Sequence, residues 1–192
     1  MGQTFSSDLE PIVGFVDESS LRSDPAKRRV INTRIVKYSE GKKRSWTTFG
    51  FLSLNGRDAV MVSEKAKAPD MIEFLEVIRE ENRCDSVGDR GDRPIVLILD
   101  NARVHVASSV KERAKVLRMA EAFLPPYSPD LNPIEFGWKD WKRELSAYPN
   151  FDDSVYMAKE TALSLFGQRK YGYAKSWICK FMPSLLSKKL AD

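Results

Sequence analysis

The stretch from Pro94 to Asp100, PIVLILD, is the part of the chain that decides the kind of sheet it can build. A short, almost wholly apolar run of this kind is typical of a strand that is buried on both faces. It therefore predicts a central strand. The run ends in an acid, and in such sheets the strand ends open onto functional crevices. Asp100 is thus predicted to have a catalytic or ligand-binding role; the alternative is an ordinary loop aspartate.

A second run, PIVGFVD from Pro11 to Asp17, has the same form. It predicts a strand that ends at Asp17 and is followed by a polar, basic connection over residues 19–29. If this strand lies beside the one that carries Asp100, the two carboxylates emerge close together. The alternative for Asp17 is a turn residue that caps the next segment.

A hairpin is predicted next along the chain. Residues Val30 to Tyr38 form a further strand-like run, and the β-rich segments Trp46–Leu54 and Ala59–Val62 flank Asn55-Gly56. This dipeptide is the one that best tolerates the positive φ angles of a type I′ turn. The first strands of the protein are therefore expected to be antiparallel neighbours.

Helices account for most of the remainder. Pro69 is predicted to open a helix with one apolar face made of Met71, Phe74, Leu75 and Ile78. The other expected elements, in chain order, are a polar loop at Cys84–Arg93, a basic helix at Ser108–Arg118, a short strand at Ala122–Leu124, a helix at Pro133–Leu145, and one or two C-terminal helices with Tyr156, Ala162, Leu163 and Phe166 in the core. This order predicts a mixed α/β layer fold. The 192 residues are expected to form a single domain, with a core at about 11–146 and a helical part at 150–190.

The segment LPPYSPDLNPIE, from Leu124 to Glu135, combines a rigid turn, a helix start and an acid. Asn132 is a favoured N-cap residue, Pro133 suits the first helical position, and Glu135 falls at the third. Together they have the pattern of a capping box. From this segment alone, capping and catalysis are equally good explanations of Glu135.

Composition narrows the classes of protein. Hydrophobic residues make up 42% of the chain and charged residues 30%, with no run of eighteen apolar residues and no secretory signal. Two distant cysteines and one histidine cannot make an ordinary zinc site, and they suit a reducing compartment. The net charge of +4 is compatible with a polyanionic partner. An unrelated nucleotide-binding protein is disfavoured, because the chain has neither a GxxxxGK[ST] loop nor a GxGxxG turn.

Taken together, Asp17, Asp100 and Glu135 indicate a metal site. Three unpaired carboxylates in one place repel one another and raise one another's pKa, and a hard cation such as Mg²⁺ removes that penalty. Two ions about 3.5–4 Å apart can activate a water and stabilise the leaving oxygen of a phosphodiester. The chemistry indicated is that of a nuclease or a strand transferase.

Three blocks of the sequence carry a family resemblance: VGFVDES, VLILDNARVH and LPPYSPDLNPIEFGWKDWK. They resemble the signature blocks of the Asp-Asp-Glu (DDE) transposases, in the mariner and related bacterial or archaeal insertion-sequence group. The 34 residues (101–134) between Asp100 and Glu135 agree with the spacing in many members. The resemblance runs from about Pro11 to Leu145. It implies a ribonuclease-H-like fold with a mixed five-stranded sheet and flanking helices.

The resemblance also implies the chemistry. Asp17, Asp100 and Glu135 would be the catalytic, metal-binding triad, with two ions of Mg²⁺ or Mn²⁺ expected as the cofactor. The expected reaction is DNA phosphodiester cleavage and strand transfer during transposition of an insertion sequence. His105 matches the histidine of the DNAxxH block, which implies an orienting or a substrate-contacting role. The alternative is a structural histidine whose hydrogen bonds are satisfied within the fold. The candidate DNA-binding residues are His105, Asn101, Lys139, Lys142 and Arg143. For the three basic residues, the alternative is a solvated face of the helix.

Partners follow from the same resemblance. DNA is expected, as transposon ends and as target, with a homodimer or a higher synaptic complex and with no membrane. Family members usually carry an N-terminal helix-turn-helix domain. Since the first catalytic strand begins by Pro11, none is expected here, and a separate helix-turn-helix subunit or a frameshift-fused N-terminal half would supply it. The expected location is the prokaryotic cytoplasm, near the nucleoid. The alternative is a truncated or domesticated copy that binds DNA or a partner without catalysis.

Overall fold

The computed structural model describes residues 10–22, 45–83, 93–126, 128–147 and 155–181. The strands in these ranges are β1 (Ile12–Arg22), β2 (Ser45–Ser53), β3 (Ala59–Ser63), β4 (Ile95–Leu99) and β5 (Met119–Phe123). The helices are α1 (Ala68–Glu81), α2 (Ser108–Val116), α3 (Ile134–Ala147) and α4 (Val155–Phe181), with a short 3₁₀ turn at Pro129–Leu131.

The strands form one mixed sheet in the order β3-β2-β1-β4-β5. The pairs β1–β2 and β2–β3 are antiparallel, whereas β1–β4 and β4–β5 are parallel. This confirms the expected mixed five-stranded sheet with flanking helices, and it confirms that the strands carrying Asp17 and Asp100 are neighbours.

Helices cover both faces of the sheet. Ile95, Leu97 and Leu99 of β4 belong to the core beneath α1 and α2, and Ile98 belongs to the core beneath α3 and α4. The strand is therefore buried on both sides, as its apolar sequence predicts. The predicted apolar face of α1 is also confirmed, because its four residues are fully buried in the same core as Leu97.

Strand β1 is longer than predicted. Its parallel pairing with β4 ends at the pair Phe15–Ile98, but its antiparallel pairing with β2 continues to the pair Arg22–Ser45. The prediction that the strand ends at Asp17 is therefore wrong. The polar residues beyond Asp17 stay extended because β2 satisfies their backbone groups. Asp17 nevertheless lies just past the last parallel pair, where the sheet opens between β1 and β4.

The hairpin between β2 and β3 is confirmed, but its predicted turn is wrong. The connection covers residues 54–58, and Asn55 does not adopt the positive φ that a type I′ turn requires. The Asn55 side chain is used elsewhere: its oxygen accepts from the Val13 amide at 2.8 Å, and its nitrogen donates to the Pro11 carbonyl at 2.9 Å. These bonds tie the loop to the start of β1.

The C-terminal helix belongs to the same body as the sheet. Helix α4 packs along α3 and also contacts β2 and β3. Ala162 and Phe166 are fully buried, as predicted, and Leu163 is partly buried against them. The predicted strand at 30–38, the loop at 84–92 and the side chain of Tyr156 lie outside the described residues. Within the described residues, no helix has the length and apolar character needed to cross a membrane.

Candidate active site

A cleft of about 440 Å³ opens at the edge of the sheet where β1 and β4 stop pairing. Continuing their register by two residues places Asp17 beside Asp100, and the first turn of α3 brings Glu135 to the same place. All three carboxylates line this cleft. The other lining residues are Asn101, Ala102, Leu124, Pro125, Pro126, Ser128 and Asn132.

Asp17 is the most buried of the three acids, with 8% of its surface exposed. The indole Nε1 of Trp138 donates a hydrogen bond to its Oδ2 at 3.1 Å. Trp138 reaches this position because the residue of β2 that pairs with Asp17 is Gly50, where an added Cβ would lie 2.6 Å from the indole Cη2. Burial, followed by the negative charge of Glu135, raises the pKa of Asp17 to about 7.

Glu135 enters the cleft from a helix that starts differently from the predicted capping box. The amide of Glu135 donates to the backbone oxygen of Asn132 at 3.1 Å. The side-chain oxygen of Asn132 has no hydrogen-bond partner among the described residues, although it is buried. The capping-box prediction is therefore wrong, because the backbone carbonyl has taken the amide that the side chain was expected to cap.

His105 links two acids beneath the cleft. Its side chain is fully buried, with Nδ1 2.7 Å from Asp100 Oδ1 and Nε2 3.1 Å from Glu18 Oε1. Burial alone would lower the pKa of His105, but the hydrogen bonds to Asp100 and Glu18 outweigh it and raise that pKa to about 10. The ring is thus an imidazolium that donates from both nitrogens at neutral pH.

Asp100 is oriented by this network. Its Oδ1 accepts from His105 and from the Ala102 amide at 2.9 Å. The hydrogen bond from His105 is the main cause that lowers the pKa of Asp100, so its carboxylate is ionised. Half of the Asp100 side chain remains exposed to the cleft. Since His105 itself is fully buried, the structure favours its orienting role over direct contact with a substrate.

Glu18 and Trp138 are the contacts that sequence reasoning missed. Adjacent residues of a strand point to opposite faces, so Asp17 turns toward Trp138 on α3 while Glu18 turns toward His105. The acid pair directly after the apolar run is a signal that could have indicated Glu18. The contact of Trp138 with Asp17 spans 121 residues of sequence, and no local pattern indicates it.

The candidate DNA-binding residues do not lie in one place. Asn101 lines the cleft, where its side-chain nitrogen donates to the Leu124 carbonyl at 2.8 Å. The three basic residues of α3, Lys139, Lys142 and Arg143, are exposed along that helix. Two of the three are engaged within the chain: Arg143 pairs with Asp140 at 2.5 Å, and Lys139 Nζ lies 5.2 Å from the ring centre of Phe136.

The donor chemistry of the cleft fits a hard divalent cation. Three carboxylates offer the oxygen ligands that Mg²⁺ and Mn²⁺ prefer. Among the described residues, no three acidic, histidine or cysteine side chains are gathered closely enough to hold an ion. The raised pKa of Asp17 reports the burial and repulsion that a cation would offset. The three carboxylates therefore have the right chemistry for a divalent cation, and they would have to move closer together to hold one.

Comparison with known proteins identifies the family of this chain. The family described as DDE superfamily endonuclease matches residues 13–157. No curated protein sequence matches the chain significantly.

Solved structures share the fold at low sequence identity. A chain of the simian T-cell lymphotropic virus intasome is 12% identical with a TM-score of 0.54; the match covers 83% of this chain and 50% of that one. The catalytic domain of Mos1 mariner transposase is 14% identical with a TM-score of 0.52, covering 85% and 79%. The Mos1 mariner paired end complex with Mn is 15% identical with a TM-score of 0.51, covering 85% and 54%.

This chain spans about half the length of the first and third of these proteins. The shared part is the five-stranded sheet with its flanking helices, which is the ribonuclease-H-like fold of transposase and integrase catalytic cores. The family match covers most of the chain, and all three acids of the cleft fall within it. The chain therefore belongs to the DDE superfamily endonucleases.

Proposed function

We propose that this chain is the catalytic domain of a transposase, which cleaves DNA phosphodiesters at the ends of an insertion sequence and transfers the freed 3′ ends to target DNA. The observation that carries the proposal is the convergence of Asp17, Asp100 and Glu135, from β1, the end of β4 and α3, on one cleft. All three acids lie within the segment that matches the DDE superfamily endonucleases. They also stand in the three sequence blocks that resemble the signature blocks of that family.

Asp17, Asp100 and Glu135 would hold two ions of Mg²⁺ or Mn²⁺. Such ions lower the pKa of an attacking hydroxyl and stabilise the leaving oxygen of a phosphodiester. The chain's own contribution is positioning. Trp138 fixes one oxygen of Asp17, and His105 fixes one oxygen of Asp100. Manganese in the Mos1 paired end complex supports a divalent cation in this fold.

DNA and further protein chains are the proposed partners. The net charge of +4 and the exposed lysines of α3, Lys139 and Lys142, favour a phosphate backbone beside the cleft. A homodimer or larger synaptic complex would bring two element ends together. Recognition of those ends would come from a helix-turn-helix region, either on a separate subunit or fused N-terminally by frameshifting.

The test is a cleavage assay with the purified chain, Mn²⁺ or Mg²⁺, and a labelled duplex that carries the element end. The expected result is metal-dependent nicking that Asp100→Asn and Glu135→Gln each reduce at least about a hundredfold, because each removes an anionic ligand. Asp130→Asn is the matched control, since Asp130 is an exposed acid on the 3₁₀ turn before α3 and does not line the cleft.

Two results would contradict the proposal. Nicking that persists unchanged in Asp100→Asn would show that the carboxylates of this cleft do not carry the reaction. Retained DNA binding without any metal-dependent nicking would instead indicate a copy that binds DNA without cutting it.

A further inference from the structure

Asn132 is a buried polar residue of the cleft that neither the fold nor the three acids account for. Only 3% of its surface is exposed, and it lines the cleft together with Asp17, Asp100 and Glu135. Its Oδ1 finds no hydrogen-bond partner among the described residues. A buried acceptor without a partner destabilises a fold, so its place in this cleft calls for a ligand.

The backbone around Asn132 already satisfies the helix start. Its carbonyl accepts from the Glu135 amide at 3.1 Å, and the Pro133 carbonyl accepts from Phe136 at 3.2 Å. Pro133 has no amide to cap, and it fixes the backbone between Asn132 and α3. Asn132 therefore lines the cleft, and its side-chain oxygen does not serve as a helix cap.

We propose that Asn132 is a binding residue of the catalytic cleft, whose side-chain oxygen accepts a hydrogen bond from a water or hydroxyl group held beside the three carboxylates. The inference rests on the proposed function. A neutral amide suits this position, because it accepts a hydrogen bond without adding a fourth negative charge to the cleft. The donor is either a water in the hydration shell of the cation, since Mg²⁺ keeps several waters, or the hydroxyl that attacks phosphorus.

Asn82 provides a matched control. It is also a buried asparagine, but it lies at the opposite end of the sheet, and its amide is fully used. Its Oδ1 accepts from the Arg57 amide at 2.8 Å, and its Nδ2 donates to the Ile78 carbonyl at 3.0 Å and to the Arg57 carbonyl at 3.1 Å.

The first measurement is thermal unfolding of the full chain without divalent cations. Asn132→Ala is expected to leave the Tm unchanged or raise it, because it removes an unsatisfied acceptor. Asn82→Ala is expected to lower the Tm by about 5 °C, because it removes satisfied hydrogen bonds. A Tm loss in Asn132→Ala as large as that in Asn82→Ala would show a structural role and overturn the proposal.

The second measurement is Mn²⁺ binding without DNA, followed by the rate of metal-dependent nicking. A hydration water as donor predicts Mn²⁺ binding about 10–100-fold weaker in Asn132→Ala. An attacking hydroxyl as donor predicts unchanged Mn²⁺ binding and nicking slower by a similar factor. In both cases Asn132→Ser, which keeps a neutral acceptor oxygen, is expected to lose less than Asn132→Ala.

Unchanged Mn²⁺ binding together with unchanged nicking in Asn132→Ala would overturn the proposal. A wild-type chain that does not nick DNA would refute the proposed function. An effect of Asn132→Ala on Mn²⁺ binding would still support the role of Asn132, so the two failures are distinguishable.

Discussion

Asp17 is held by the fold in a position that opposes its own ionisation. Burial and the charge of Glu135 raise its pKa from 3.8 to about 7. Between those values the folded chain keeps the proton and the unfolded chain releases it, so the free energy of unfolding falls as pH rises. Without divalent cations, we expect a loss of about 2–4 kcal/mol between about pH 4 and pH 7 from this group.

Asp17→Asn isolates this contribution. The amide has no charge to bury, so the variant should lack this part of the pH dependence and be more stable than the wild type near pH 8. Denaturant unfolding of both chains in chelator, at several pH values, measures the difference. Parallel pH profiles of the two chains would contradict the assignment. Adding Mn²⁺ should stabilise the wild type much more than Asp17→Asn, because the ion stabilises the ionised acid.

The ion pairs of His105 with Asp100 and Glu18 lead to a separate prediction about catalysis. Because His105 is fully buried between Asp100 and Glu18, it can act on DNA only through Asp100. We expect His105→Gln and Glu18→Gln each to lower the kcat of nicking about 10–100-fold, with the KM for DNA unchanged. The double variant should lose less than the sum of the two single losses, because both residues act on one carboxylate.

Steady-state kinetics over a range of DNA concentrations separates this prediction from its rival. A raised KM with an unchanged kcat in His105→Gln would show that the histidine contacts the substrate. Far-ultraviolet spectra and melting curves of each variant check that the loss does not come from unfolding.

The strands and helices that can be predicted from the sequence are those whose own residues carry the hydrophobic pattern. Strand β4 and helix α1 follow from apolar runs and periodicity that their own residues carry. The second half of β1 carries no such signal: its residues beyond Asp17 are mostly polar, and they stay extended only because β2 pairs with them. The type of turn at Asn55 was predicted wrongly for a similar reason. The Asn55 side chain forms hydrogen bonds with residues at the start of β1, which no local pattern indicates.

The residues of the candidate site also fall into a group that the local sequence predicts and a group that it does not. Asp100 and Glu135 could be predicted because each stands at the end or start of an element that the local sequence defines. The network around them could not, since Trp138 reaches Asp17 and His105 reaches Glu18 across the packed layers of the fold. The capping box at Asn132 failed because a backbone carbonyl competed successfully for the same amide.

The contact between β2 and α3 gives a prediction that compares two glycines. At Gly50, an added Cβ would lie 2.6 Å from the Trp138 ring, which donates to Asp17. We expect Gly50→Ala to lower the free energy of unfolding by about 1–3 kcal/mol, as overpacking of a core does, and to slow nicking by displacing the indole.

Gly167 on α4 is the matched control, because an added Cβ there meets nothing within 4 Å. In a helix interior, Gly167→Ala should stabilise the fold by about 0.5–1 kcal/mol. Denaturant unfolding of both variants gives the two signs. A Gly50→Ala chain as stable and as active as the wild type would show that Trp138 does not need its present position.

The folded structure extends beyond the segment of the chain that matches the family. The match ends at residue 157, whereas α4 continues to Phe181 and supplies Ala162, Phe166 and Ile178 to the core. Polar contacts also anchor the helix: the ammonium of Lys170 lies 3.2 Å from the Asp58 carboxylate, and the Tyr171 hydroxyl donates to the Leu54 carbonyl at 3.1 Å. The segment that matches the family therefore packs against a helix that lies almost wholly beyond the match.

Helix α4 also reaches the active site through packed aromatic rings. The ring of Phe166 lies 5.4 Å from that of Trp138, whose indole donates to Asp17. We expect Phe166→Ala to lower the free energy of unfolding by about 3–5 kcal/mol, and to slow nicking by loosening Trp138. Glu160→Ala, at an exposed position of the same helix, should change stability by less than about 0.5 kcal/mol.

A chain that ends at residue 157 tests most directly whether the rest of the fold needs α4. Removing α4 would expose the apolar side of α3 and the face of the sheet beneath it, including Trp138, Trp141 and Leu54. Such a chain should unfold without a cooperative transition and bind a hydrophobic dye, because too little apolar surface stays buried to offset chain entropy. Calorimetry and dye fluorescence measure both. A cooperative transition with metal-dependent nicking in the shortened chain would show instead that the family segment folds alone, and that α4 only covers a completed core.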